Sequence, residues 1–211
     1  MLEIITMVQG PVQTNTYLVA DPITGQAAVI DPAWNGLKIV NEAQSHQWTI
    51  SQIWLTHAHF DHIAGAAEIT RLVTPAPQVL LHQADLGLYQ KHGGASIFGF
   101  TIQDPPEVST QLSHGQALKL GDVQLEVRHT PGHTPGHVVF YCPGAEALFC
   151  GDVIFQSGIG RTDLPGGSYA QLIDSIQQQV MTLPDSTRLY SGHGPATNVG
   201  LERAYNPFLN Y

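Results

Sequence analysis

The stretch Thr56-His57-Ala58-His59-Phe60-Asp61-His62 decides how the rest of the chain is read. It follows Ser51 to Thr56 (SQIWLT), which has the pattern of a buried strand. It precedes Gly65 to Val73, a helical pattern whose small residues allow close approach to a sheet. At a strand end, side chains two residues apart point the same way, so His57 and His59 converge on one point. Asp61 and His62 fall where the chain turns into the helix, and Asp61 suits a helix cap as well as a cation. Together these four side chains offer two nitrogens to one ion and an oxygen plus a nitrogen to a neighbour. Imidazole with carboxylate suits zinc, iron or manganese.

One segment cannot close two metal sites, so further ligands must come from elsewhere. His133 lies in Thr130-Pro131-Gly132-His133-Thr134-Pro135-Gly136-His137, a tight turn after a strand pattern. Asp152 follows the strand Leu148 to Cys150 through Gly151, and His193 follows Arg188 to Tyr190 through Gly192. Each is a ligand-type side chain on a loop leaving a strand, where site residues concentrate. Taken singly, each also reads as a turn histidine, a helix-capping aspartate or a surface histidine.

Outward from these marks, the chain alternates. Strand patterns at Leu2 to Val8, Thr14 to Ala20 and Ala27 to Ile30 precede a helix at Gly36 to Gln47. Gln78 to His82 reads as a strand, Gln83 to Gln90 as a helix and residues 92–116 as loop. Strands follow at Val123 to His129, Val138 to Cys142 and Ala147 to Cys150, then a helix at Ser168 to Met181 and a last strand at Thr187 to Tyr190. Strands then helix, repeated, predict an α/β fold in which two sheets pack face to face with helices outside, a four-layer sandwich. A length of 211 residues with 43% hydrophobic content suits one domain over 1–211.

Seventeen acidic against eight basic residues give a net charge of −9, which argues against nucleic-acid or anionic-membrane partners. Eleven histidines outnumber lysine and arginine together. No apolar run approaches the roughly 18 residues of a membrane span, and the start MLEIITMVQG lacks the pattern of a secretory signal. Cys142 and Cys150 sit in apolar strand patterns and read as buried free thiols. The expectation is a cytoplasmic protein, a monomer or small homo-oligomer, acting on a small molecule.

The marks THAHFDH (56–62), TPGHTPGH (130–137), GDVIF (151–155) and SGHGP (191–195), in this order, resemble the metallo-β-lactamase superfamily and its glyoxalase II-like hydrolases. The ending from Leu201 to Phe208 looks like the tail of a short bacterial branch of that group. The resemblance implies an αββα sandwich with a binuclear site in the groove between the sheets. It assigns His57, His59 and His133 to a first metal and Asp61, His62 and His193 to a second, with Asp152 bridging. The implied cofactors are two divalent ions, zinc foremost, with iron or manganese as alternatives. The implied reaction is hydrolysis of S-lactoylglutathione or a related acyl thioester by a metal-bridging hydroxide, with Asp61 passing a proton to the leaving group.

Arg161, nine residues after Asp152, corresponds to a loop whose basic residue contacts substrate in glyoxalase II-like enzymes; its alternative is a surface pair with Asp163. His137 reads as a supporting histidine, and His46, His82, His92, His114 and His129 as strand-end or surface residues. Two features depart from the longer glyoxalase II pattern. Only eighteen residues follow His193, too few for the helical domain that grips glutathione, and Pro195 stands where those enzymes place a tyrosine. Among rivals, persulfide dioxygenases share the Gly-Arg-Thr-Asp loop and use one iron, but typically carry TPGHTxGC, where this chain has His137. Lactonase or other ester hydrolysis would use the same centre.

Overall fold

Residues 2–209 are described by the computed structural model. Their first half builds a sheet from β1 (Glu3–Gln9), β2 (Thr14–Asp21), β3 (Gln26–Ile30), β4 (Thr49–Trp54), β5 (Gln78–His82) and β6 (Thr110–Leu112), adjacent in that order. β1, β2 and β3 pair antiparallel, whereas β3 to β6 pair parallel. Parallel neighbours need crossovers. These are α1 (Gly36–Ser45), then α2 (Phe60–Ile63) with α3 (Ala66–Leu72), then α4 (Leu86–Tyr89) with short 3₁₀ turns on either side.

The second half adds β7 (Ala117–Leu120), β8 (Val123–His129), β9 (Val138–Cys142), β10 (Ala147–Gly151), a small hairpin of β11 (Ile154–Phe155) and β12 (Gly158–Ile159), and finally β13 (Arg188–Ser191) and β14 (Thr197–Asn198). The second sheet runs β14-β13-β10-β9-β8-β7. Its β10–β13 pair is parallel, with α5 (Tyr169–Ser175) in the crossover, continued by a π turn through Val180. α6 (Val199–Tyr205) packs beside β14, its first turn capped by the Asn198 side chain.

Alternation along the strands sets the four layers. In β2, Leu18 and Ala20 face the helices, joining Ile39, Ile53 and Ile69, while Tyr17 and Val19 face the opposite sheet. In β9, Val138, Phe140 and Cys142 point between the sheets, whereas Val139 and Tyr141 point toward Leu172 and Ile176. Such strands are buried on both faces, so they read as continuous apolar runs. Cys142 and Cys150 are free and buried, and belong to different layers. The expected αββα sandwich is therefore present. Among the described residues no helix is long and apolar enough to cross a membrane.

β8, β10 and β13 share one direction, because β9 is antiparallel to both β8 and β10. Their C-terminal ends, with that of β4, carry the loops that bear the ligand-type residues. The start of β2 lies at the same end, since β2 opposes β3 and β3 parallels β4.

Several expectations need correction. The strand placed at Ser51 to Thr56 ends at Trp54, because the Thr56 N–H leaves the ladder for the Asp31 carboxylate at 2.8 Å. Residues 92–116 are not all loop: they hold a kinked 3₁₀ segment (His92–Phe98) and β6. β7, β11, β12, β14 and α6 were not anticipated, being mostly two to four residues long or, for α6, weakly patterned.

Candidate metal centre

The first ligand segment leaves β4 as extended chain and enters α2, so His57 and His59 lie before the helix and Asp61 and His62 within its single turn. Two buried aspartates brace it. Asp31, at the end of β3, accepts from the Thr56 N–H and, at 2.6 Å, from the Thr56 hydroxyl. That hydroxyl's one hydrogen is thereby used, so it receives the His57 Nδ1–H at 3.0 Å and leaves His57 Nε2 as a bare lone pair. Asp31 also accepts His62 Nδ1–H at 3.0 Å, which turns His62 Nε2 toward the same centre. Asp85 accepts from the Ala58 N–H (3.0 Å), the Thr134 hydroxyl (2.7 Å) and the Gly136 N–H (2.7 Å). It thus ties the first ligand segment to the turn that carries His133.

His133 donates Nδ1–H to the Arg161 carbonyl at 2.8 Å and turns Nε2 toward His59 Nδ1, 2.9 Å away. Asp152 is set by its own N–H, which donates to His137 Nε2 at 3.1 Å. His137 stacks on His57 with centroids 4.9 Å apart, and both of its nitrogens are engaged, by Thr130 and by Asp152, so it supports the cluster as its sequence position suggested. Gly192 lets His193 close the ring: a β-carbon there would collide with Asp152 Oδ1 and His62. The His193 loop is latched from the far end of the chain. Asn15 donates its side-chain amide to the Ser191 and Gly194 carbonyls (2.9 and 2.8 Å) and its N–H to the Gly192 carbonyl (2.7 Å). The Thr14 hydroxyl donates to Asp61 Oδ2 at 2.9 Å.

All seven ligand-type residues named from sequence come together. Ligand atoms of His57, His59 and His133 lie within 4.8 Å of one another, as do those of Asp61, His62 and His193. Asp152 stands between the two trios, 3.4 Å from His62, 3.6 Å from His193 and 3.7 Å from His133. A third grouping, Asp31 with His57 and His62, meets the same distance criterion. The Asp31 carboxylate, however, is already committed to three donors, which makes it a brace for the ligands.

The donor set fits a pair of cations. His57 Nε2, His62 Nε2 and Asp152 Oδ1 are buried without a hydrogen-bond partner, a costly arrangement unless a cation meets them. Burial, helped by His62 and His133, holds the His57 imidazole well below its usual range. Burial and His133 push His59 down to about 3. Both are therefore in the neutral form that binds metal. Asp152 works against its burial, and His62 foremost among its neighbours draws its carboxyl below the ordinary range. The Asp61 and Asp152 carboxylates in turn hold the His62 and His193 imidazoles above their usual range, so the neutral His57 and His59 offer lone pairs while the carboxylates ask for positive charge.

The remaining histidines lie outside this cluster. His46 pairs with Glu42 and His92 with Asp104 at the surface, while His82 stacks on His129, whose N–H donates to His114. Arg161 meets both of its readings. Its side chain is half exposed, forks onto Asp163 at 2.8 and 2.6 Å, and lines the cavity that contains His59, Asp61, His133, Asp152 and His193.

Sequence reasoning missed the braces Thr14, Asn15, Asp31, Thr56 and Asp85. Asp31-Pro32 after a strand pattern and the polar Thr14-Asn15-Thr16 opening an apolar strand were available signals. Asp85 has none, because its three donors come from distant segments.

Residues 9–193 match the family model described as the metallo-beta-lactamase superfamily. A probable metallo-hydrolase of Bacillus subtilis (strain 168) is 41% identical, covering 95% of this chain and 94% of its own. The hydroxyacylglutathione hydrolase GloC of Haemophilus influenzae is 32% identical, covering 87% of each. Among solved structures, the B3 metallo-beta-lactamase BLEG-1 superposes with a TM-score of 0.92 at 34% identity, over 100% of both chains. TTHA1623, solved in a di-iron-bound form, gives 0.88 at 37% identity, over 97% of this chain and 100% of its own.

Proposed function

From a chain that belongs to the metallo-β-lactamase superfamily, with two ligand trios meeting at one carboxylate, we propose a binuclear metal-dependent thioester hydrolase of glyoxalase II type. The observation that carries this reading is the convergence of His57, His59 and His133 with Asp61, His62 and His193 around Asp152 in an open cavity. His57, His59 and His133 would hold one ion, and Asp61, His62 and His193 the other, with Asp152 shared. When bound, two divalent ions, zinc foremost, supply a water ionised near neutral pH and a Lewis-acid seat for a carbonyl oxygen. The similarity to GloC supports an acyl thioester as substrate, with S-lactoylglutathione the first to try. The similarity to a di-iron-bound structure keeps iron in the proposal beside zinc and manganese.

The chain's own residues do the positioning. Asp31 and the Arg161 carbonyl fix the tautomers of His62 and His133, so that their free nitrogens face the centre. Thr14 anchors Asp61 Oδ2, which leaves that carboxylate aimed to hold a proton and pass it to the departing sulfur. A thiolate leaves readily, so no stronger acid is required. Arg161 offers a cation at the cavity wall for a substrate carboxylate, held in place by Asp163. Reducing surroundings suit the two buried thiols, which supports a cytoplasmic location.

The test is metal analysis with hydrolysis of S-lactoylglutathione on purified protein, run beside oxygen uptake with glutathione persulfide. Two metals per chain and thioester cleavage are expected. One iron per chain with oxygen uptake and no cleavage would replace the hydrolase by a persulfide dioxygenase.

A further inference from the structure

The cavity beside the ligands has a second, apolar wall. Val12, Phe60, Phe98, Phe100 and Leu164 line the same space, about 190 Å³, as the ligand side chains. Phe60 stacks on Phe98 with centroids 5.4 Å apart and on Phe100 at 5.2 Å, and the edge of Trp34 supports Phe60 and Phe100. Phe98 keeps 40% of its surface exposed and Val12 39%. Leaving such groups facing water is unfavourable, and apolar surface at the mouth of a polar cavity marks a place where a ligand is covered.

The wall is also rigidly placed. Gly93, at φ +60°, lets the loop lie against the backbone of Ala58, His59 and Phe60, where any side chain would collide. The aromatic loop is thereby fixed to the ligand segment. At about 190 Å³ against the roughly 300–1,000 Å³ of a typical ligand site, the space beside the ligand side chains suits a short group. Of the residues lining it, Arg161 alone is a Lys or Arg, and its guanidinium is already forked onto Asp163. Glutathione brings two carboxylates, and this lining has no second cation to meet them.

We infer that this wall sets substrate choice: the site takes an apolar group a few carbons long beside the scissile carbonyl, in preference to a hydroxyacyl group carried on glutathione. The inference rests on the hydrolase reading above. The metal-loaded protein is tested on two thioester series. One varies the acyl chain from acetyl to hexanoyl on N-acetylcysteamine; the other keeps acetyl and lengthens an alkyl thiol. In one series kcat/KM climbs about fourfold per methylene until the chain outgrows the wall, as burial of a methylene implies. The series that climbs identifies which side of the carbonyl lies on Phe98.

Phe98→Ala flattens that climb, and Phe98→Leu restores part of it. Phe98 is surface-accessible, so a thermal melt of each variant shows that folding is retained. Independently of turnover, the tightest-binding non-hydrolysable thioether of either series binds wild type about tenfold tighter than Phe98→Ala by calorimetry. Cleavage with flat profiles in both series, or a climb unaltered by Phe98→Ala, overturns the inference and leaves the hydrolase standing. If no thioester is cleaved, the hydrolase reading fails, and equal calorimetric affinity for wild type and Phe98→Ala would then defeat the wall as well.

Discussion

The two trios at the centre are built on different physics. His57, His59 and His133 offer nitrogen donors only and are all buried, on two loops that Asp85 ties together while Asp31 holds Thr56 against His57. Asp61, His62 and His193 include a charged ligand, and the His193 side chain is 30% exposed. Their braces are the start of β2, through Thr14 and Asn15, and Asp31, which holds His62. The inner trio depends on geometry prepared by burial, whereas the outer one relies more on charge and opens to the cavity. The difference teaches that one centre can hold a firmly housed position and an accessible one, with Asp152 belonging to both.

The largest expected effect removes what the trios share. Asp152→Ala loses at least one ion per chain by metal analysis, and turnover falls about a thousandfold or more; wild-type metal content in this variant would end the shared-carboxylate assignment. Next come the trios separately. His193→Ala keeps the inner ion and the melting temperature close to wild type, while His57→Ala loses the inner ion and melts lower. Equal losses in both would erase the distinction. Third, the braces are exchanged. Asp85→Ala leaves two backbone N–H groups and a hydroxyl unsatisfied, and denaturant unfolding should show a loss of about 3 kcal/mol. Asn15→Ala should instead weaken one metal about tenfold or more in a competition titration, with a smaller stability change. The smallest effect is at the rim. Arg161→Ala raises KM several-fold with kcat little altered, because a contact made equally before and during reaction contributes only binding; an unchanged KM would leave Arg161 as the partner of Asp163 alone.

The ligand-type cluster was legible in the sequence because metal chemistry calls for particular side chains at particular strand ends. HxHxDH after an apolar strand, and a glycine before Asp152 and His193, are local patterns. The sandwich was legible from the order of strand and helix patterns, repeated in the two halves of the chain. What escaped was non-local. Asp85 looks like an ordinary residue between a strand and a helix until Ala58, Thr134 and Gly136 arrive from elsewhere. The aromatic wall escaped too, because Phe98 ends, and Phe100 follows, a segment whose helical turns are kinked at Gly93 and Gly94 and show no regular period. Strands of two to four residues, such as β11 and β14, owe their existence to the neighbours they pair with and carry too few residues to show alternation.

The latch of Asn15 onto the loop from Ser191 to Gly194 joins positions nearly 180 residues apart. A chain emerging from a ribosome therefore presents His57, His59 and His62 long before it can position His193. Cations captured during synthesis would meet a partial coordination set, and the outer position becomes available only once β13 has docked. On the proposed assignment, metal loading at that position would report the docking of β13 against β2.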